Sequence, residues 1–174
     1  MSANAKPEGL IVAKAHSVEG TLACAMSLGS VLSAGDVVLL RGPLGAGKTQ
    51  FAKGVVAGLG SDADVVSPTF ALMLEYDDGR VPLMHMDLYR LDDASELEDI
   101  DFYGVADESS GYACLIEWAE LFPDEMPEDA LEVIIERADD EGPQARSIRA
   151  IPSGPRSEEL LRLWMGVRED QGEA

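Results

Sequence analysis

Gly42-Pro43-Leu44-Gly45-Ala46-Gly47-Lys48-Thr49 sets glycines, a lysine and a hydroxyl at the spacing G-x-x-x-x-G-K-[ST]. The chemistry of that spacing is phosphate binding. Glycines let the backbone curl so that successive N–H groups turn inward onto phosphate oxygens. A lysine at the position of Lys48 reaches β- and γ-phosphates, and a hydroxyl at the position of Thr49 ligates Mg²⁺. Phosphoryl chemistry also needs an acid at a strand end to hold the metal or its water shell. Asp87 closes the apolar run Leu83-Met84-His85-Met86 and is the candidate; the competing reading is a turn or cap residue before Leu88-Tyr89-Arg90. Glu117 closes a second run, Tyr112-Ala113-Cys114-Leu115-Ile116, and reads either as an acid for metal or water or as a simple strand terminator. Trp118 reads as packing more than as a nucleotide platform, and His85 as a structural histidine in an apolar strand.

These groups work only if the elements around them bring them together. Asp36-Val37-Val38-Leu39-Leu40 reads as a short buried strand before the loop, and Phe51 to Leu59 as a helix after it. A helix starting at the loop adds about half a positive charge at its N-terminus. Leu10 to Ala13 suggests a first strand. Ser17 is placed to cap a helix carrying Leu22, Cys24, Ala25, Leu28, Val31 and Leu32, ended by Gly35-Asp36. Phe70–Tyr76 and Val81–Asp87 read as strands joined by the turn signal Asp77-Asp78-Gly79. Ser95 is placed to cap a short helix, and residues 106–111 read as a polar, flexible loop. Leu131–Arg137 and Arg146–Ile151 alternate as strands, which places Arg137, Arg146 and Arg149 toward solvent. Ser157–Met165 reads as a closing helix. Hairpin-linked strands cannot all be parallel, so the predicted class is α/β with a mixed central sheet flanked by helices. One domain over residues 1–174 is predicted, with 1–9 and 166–174 expected to be flexible.

Charge narrows the partners. The 174 residues carry a net charge of −20, with +2 over residues 1–60 and −22 over 61–174, and every lysine lies in the first segment. Such a surface repels nucleic acid, so direct, tight binding of DNA or RNA is not expected. The acids read either as a face for a basic protein partner or as a solvated surface, with solvation favoured for most of them. Cys24 and Cys114 sit in apolar stretches and read as buried thiols. No run approaches the length of a membrane span, and the N-terminus has no signal-type apolar core, which gives a soluble, cytoplasmic expectation without a membrane partner.

Four blocks in order resemble the TsaE (YjeE) family. They are the loop at 42–49, Ser67-Pro68-Thr69-Phe70, His85-Met86-Asp87-Leu88-Tyr89-Arg90-Leu91 with Glu96-Leu97, and Ile116-Glu117-Trp118. The resemblance spans about residues 10–150. It implies a P-loop NTPase fold and a Mg²⁺-dependent ATPase, slow alone and stimulated by partners. It further implies support of threonylcarbamoyl transfer to adenosine 37 of tRNAs by the TsaD and TsaB proteins, with tRNA met only through that complex. Carried over by position, ATP would contact Gly42, Leu44, Gly45, Ala46, Gly47, Lys48, Thr49 and Gln50, with Thr69 from a switch-like loop. Lys48, Glu117 and Asp87 would be catalytic, and Thr49, Asp87 and Glu117 would hold Mg²⁺. The family usually has Asp where this chain has Pro43 and Thr where it has Gln50. Pro43 removes one backbone donor at the loop mouth, which bears on turnover more than on nucleotide binding.

Three rival functions fit these residues less well. A regulatory GTPase needs a guanine-reading N-K-x-D or T-K-x-D segment; Asn4 is the only asparagine and no lysine follows Lys53. Asp101-Phe102-Tyr103-Gly104 matches D-x-x-G, a short pattern common by chance. A small-molecule kinase needs an arginine-rich lid, which is not evident. A non-catalytic nucleotide-holding module fits poorly with the paired acids Asp87 and Glu117.

Overall fold

The computed structural model of the chain describes residues 9–172, so of the ends expected to be flexible, 1–9 and 166–174, residues 1–8 and 173–174 lie outside the described residues. Seven strands form one sheet: β1 (Leu10–Ala15), β2 (Val37–Arg41), β3 (Met73–Tyr76), β4 (Leu83–Asp87), β5 (Ala113–Glu117), β6 (Leu131–Arg137) and β7 (Arg146–Pro152). Their order is β1-β7-β6-β2-β5-β4-β3. The four central strands β6, β2, β5 and β4 run parallel, while β3, β7 and β1 are antiparallel to their neighbours. The α/β class with a mixed sheet is therefore as the sequence predicted.

Alternation along the central strands feeds two cores. Val38, Leu40, Ala113, Leu115, Val133 and Ile135 face helices α1 (Val18–Gly29), α2 (Lys48–Gly58) and α5 (Pro155–Asp170). Val37, Met84, Met86, Cys114 and Ile116 face the other way, under Leu88, Leu97, Phe102 and Val105. With both faces covered, β4 and β5 are buried at every position, which is why they read as continuous apolar runs. Burial also keeps Cys114 a thiol, its pKa pushed up to about 12.

Several boundaries depart from expectation for local reasons. Helix α1 starts at the predicted cap, where Ser17 Oγ accepts from Gly20 N–H at 3.1 Å, but it stops at Gly29 and not at Gly35-Asp36. Phe70 to Leu72 turns before β3 begins, with Leu72 in a left-handed conformation at φ 65°. Ser95 gives no side-chain cap to α3 (Glu96–Asp99); the Glu96 carboxylate instead accepts from the backbone of Asp92 and Asp93. Asp101-Phe102-Tyr103-Gly104 leads into an unforeseen short helix α4 (Phe102–Val105), which buries Phe102. Helix α5 is longer than predicted. The expected tail from 166 is helical through Asp170, and buried Arg168 donates from Nε to Val12 O at 3.2 Å.

The start of α5 is tied to the start of β2 by a two-pronged ion pair. Arg156 Nε and Nη2 donate to the two oxygens of Asp36 at 2.6 and 2.8 Å, and the Asp36 side chain is 1% exposed. Arg156→Ala leaves that carboxylate with the Ser33 N–H. Because Arg156 is itself partly exposed, a loss of about 2 kcal/mol is expected in urea unfolding, below the cost of breaking a fully buried pair.

Candidate active site

The carboxyl ends of three adjacent parallel strands converge. β2 runs into the glycine loop, β4 ends at Asp87 and β5 ends at Glu117, with Asp87 directly opposite Glu117 in register and Leu40 opposite Glu117 on the other side. In open α/β sheets this end of the strands is where ligands bind. The loop then turns into α2, whose first helical residue is Lys48.

Two glycines make the turn possible. A Cβ on Gly42 would lie 2.5 Å from Ile135 O, so no side chain fits there. Gly47, the residue before the helix, has φ 106°, a conformation strained for any other residue. Ala46 N–H donates to Pro43 O at 3.0 Å, closing the turn, and Phe51 N–H donates to Gly47 O at 2.9 Å, starting the helix. Lys48 is nearly buried. Its Nζ donates to Gly42 O at 2.7 Å and to Pro43 O at 3.3 Å, and lies 4.6 Å from the centre of the Trp118 ring. The ammonium is thus held at the loop by carbonyl oxygens and an aromatic face.

Each acid is held by its own hydrogen bonds. Thr69 Oγ1 donates to Asp87 Oδ2 at 2.8 Å, and Ser67 Oγ is 2.8 Å from Thr69 Oγ1. Asp87 Oδ1 accepts from Tyr89 N–H, and Asp87 N–H donates to Leu72 O. The 67–72 turn is therefore docked on Asp87 by both its side chain and its backbone. Glu117 Oε1 is 2.8 Å from His85 Nε2, and both side chains are buried. His85, read as structural, thus orients a candidate acid. Trp118 takes a left-handed conformation at φ 61°, unfavourable for an aromatic residue, and its ring packs at a tilt of 48° against Tyr89 with centroids 4.9 Å apart.

A cleft of about 360 Å³ collects most of the predicted positions: Leu44, Gly45, Gly47, Lys48, Thr49, Gln50, Ser67, Thr69, Asp87, Glu117 and Trp118. Gly42 and Ala46 do not line it; Ala46 is fully buried and Gly42 borders the neighbouring cleft. One lining residue was misplaced by sequence reasoning. Alternation sent Arg146 to solvent, yet it lines this cleft and donates from Nε to Ala46 O at 2.6 Å. The first residue of β7 abuts the loop, a long-range contact that period-2 patterning does not encode. A larger cleft of about 940 Å³ opens at the other end of β2, beside Asp36, Phe102 and Arg156, and contains none of these groups.

The donor set suits a hard cation that keeps other ligands. Among the described residues no three His, Cys, Asp or Glu side chains converge as a metal cage. One hydroxyl and two carboxylates leave most positions to phosphate oxygens and water, as Mg²⁺ prefers. Among the described residues no helix is long and apolar enough to cross a membrane.

Strand, glycine loop and helix, with acids on the two neighbouring strand ends of a mixed sheet, define a P-loop NTPase fold. Its likeness to a solved structure is close: YdiB of Bacillus subtilis superposes with a TM-score of 0.72 at 35% identity, covering 90% of this chain and 93% of that one. The family model for the threonylcarbamoyl adenosine biosynthesis protein TsaE matches residues 15–148. The chain belongs to the TsaE family. Relatives named tRNA threonylcarbamoyladenosine biosynthesis protein TsaE include that of Bacillus subtilis (strain 168), 44% identical over 71% of this chain and 75% of its own length. That of Nostoc sp. (strain PCC 7120) is 41% identical over 73% and 78%.

Proposed function

We propose that this protein is a Mg²⁺-dependent ATPase that supports threonylcarbamoyladenosine formation at position 37 of tRNAs, acting with TsaD and TsaB. The observation that carries the ATPase half is the in-register pair Asp87 and Glu117 beside the Lys48–Thr49 loop end, with the Thr69 hydroxyl on Asp87. Loop amides and Lys48 would bind the β- and γ-phosphates, and the Thr49 hydroxyl with the Asp87 and Glu117 carboxylates would hold Mg²⁺. The bound cation would neutralise charge developing on the phosphate oxygens. Glu117, held by His85, orients the attacking water, and Ser67 and Thr69 follow the γ-phosphate through Asp87. The names of the relatives support the tRNA half, and a net charge of −20 supports contact with tRNA only through the partners. Cys24 and Cys114 are both buried among apolar side chains, which fits thiols in a reducing cytoplasm.

The test is ATP hydrolysis by the purified chain, alone and with TsaD and TsaB, with GTP as control. Slow basal hydrolysis, raised about tenfold or more by the pair (a change of about 1.4 kcal/mol in barrier) and selective for ATP, is the expected result. Brisk hydrolysis without the pair, or a preference for GTP, would overturn it.

A further inference from the structure

Arg146 stands apart from the other groups around the loop. It opens β7, far from the loop in sequence, and its side chain donates to backbone carbonyls. Nε donates to Ala46 O at 2.6 Å and Nη2 approaches Gly45 O at 3.5 Å, while Nη1 donates to Pro143 O and Ala145 O at 3.1 and 2.8 Å. Among the described residues no carboxylate comes within ion-pair distance of it, in a chain with 33 acids. A cation so placed in so acidic a protein keeps its charge uncompensated at the wall of the phosphate cleft.

The carbonyls it grips matter for the amides behind them. Among the described residues no cis peptide occurs, so each planar unit points its N–H away from its C=O. Gly45 O shares a plane with the Ala46 N–H, which closes the loop turn onto Pro43 O. Ala46 O shares a plane with the Gly47 N–H, so the Arg146 contact fixes that N–H on the side away from the guanidinium. We infer that Arg146 is a positioning residue of the phosphate loop. Its guanidinium backs the Gly45 and Ala46 carbonyls, pre-orients the Gly47 amide for a polyphosphate, and adds positive charge beside it. The inference rests on the nucleotide reading above. It also ties the 138–145 connection to the loop, so movement of that connection is felt at the phosphates.

The test compares wild type, Arg146→Gln and Arg146→Lys by titration with Mg·ADP and Mg·ATP, together with amide hydrogen exchange of the nucleotide-free proteins. Arg146→Gln is expected to lose affinity for both nucleotides by about tenfold or more, with KM changed more than kcat, since Arg146 serves the loop and not the reacting γ-phosphate. Arg146→Lys keeps the charge but not the fork and should recover part of the loss. In Arg146→Gln, exchange should quicken at residues 44–48 while the central strands stay protected. Affinities within twofold of wild type, or faster exchange spread across the whole sheet, would overturn the assignment. Failure of wild type to bind either nucleotide would instead sink the nucleotide reading, and this inference with it.

Discussion

Lys48→Ala is expected to abolish measurable binding of Mg·ATP and Mg·ADP and to cut hydrolysis by at least about 10²-fold. A single cation does two jobs in this loop. With Nζ on Gly42 O and Pro43 O it braces the carbonyls at the loop mouth, and among the described residues it is the only lysine lining that cleft. Alanine removes both the brace and the charge that would meet the phosphates, in a chain whose acids already repel anions. Loss of an electrostatic group aimed at developing charge is worth about 3 kcal/mol in comparable sites. Calorimetric titration gives the answer, and tryptophan fluorescence provides a second readout. Trp164 is wholly buried between α1 and α5, whereas Trp118 lies against Lys48 on the cleft wall, so a nucleotide-dependent signal reports on Trp118. Lys48→Arg keeps the charge on a larger, planar head that does not fit the space between two carbonyls and an indole, and should rescue little. Nucleotide binding or hydrolysis at the wild-type level in Lys48→Ala would remove the loop from the site.

How much of this was legible in the sequence depended on how local each signal was. The glycine loop carries its own geometry, and the apolar runs ending at Asp87 and Glu117 mark strands buried on both faces, so the acids could be placed at strand ends before their neighbours were known. Their mutual register could not: nothing in either run states that β4 and β5 are adjacent and parallel, or that Asp87 lies opposite Glu117. The Thr69–Asp87 hydrogen bond depends on the left-handed turn at Leu72, an unfavourable conformation for a leucine that β-propensity hides under a predicted strand. Arg146 was misjudged by a rule that is correct for the middle of a strand. At the first residue of β7 the neighbour is not solvent but the loop that follows β2. His85 was judged by composition alone, and its partner Glu117 lies on a different strand. The GTPase-like D-x-x-G dissolves for a similar reason: its residues build α4 beneath the opposite end of the sheet, with Phe102 in the core.

Glu117→Gln is expected to lower ATP turnover by about 10²- to 10³-fold while leaving nucleotide affinity within a few-fold of wild type. Glutamine keeps the shape and an acceptor oxygen for His85 Nε2, so the variant removes charge and proton affinity with little change in packing. Alanine is the blunter change. It should also reduce turnover more than binding, but it strands a buried imidazole: His85 Nδ1 already has no hydrogen-bond partner, and loss of Glu117 would leave Nε2 without one as well. With Nδ1 unpartnered, the Nε2 contact is the polar tie between this ring and Glu117, and it fixes where the carboxyl points. His85→Gln separates aiming from packing: it should lower kcat several-fold and KM little, whereas a structural histidine would show its loss in unfolding and not in kcat. Titrating Mg²⁺ at fixed ATP then divides the roles of Glu117. A raised Mg²⁺ requirement in Glu117→Gln assigns it to the metal, and an unchanged requirement with low kcat assigns it to the water. Turnover and binding both at wild-type level would make Glu117 a strand end held in place by a histidine, and Asp87 the only acid serving the loop.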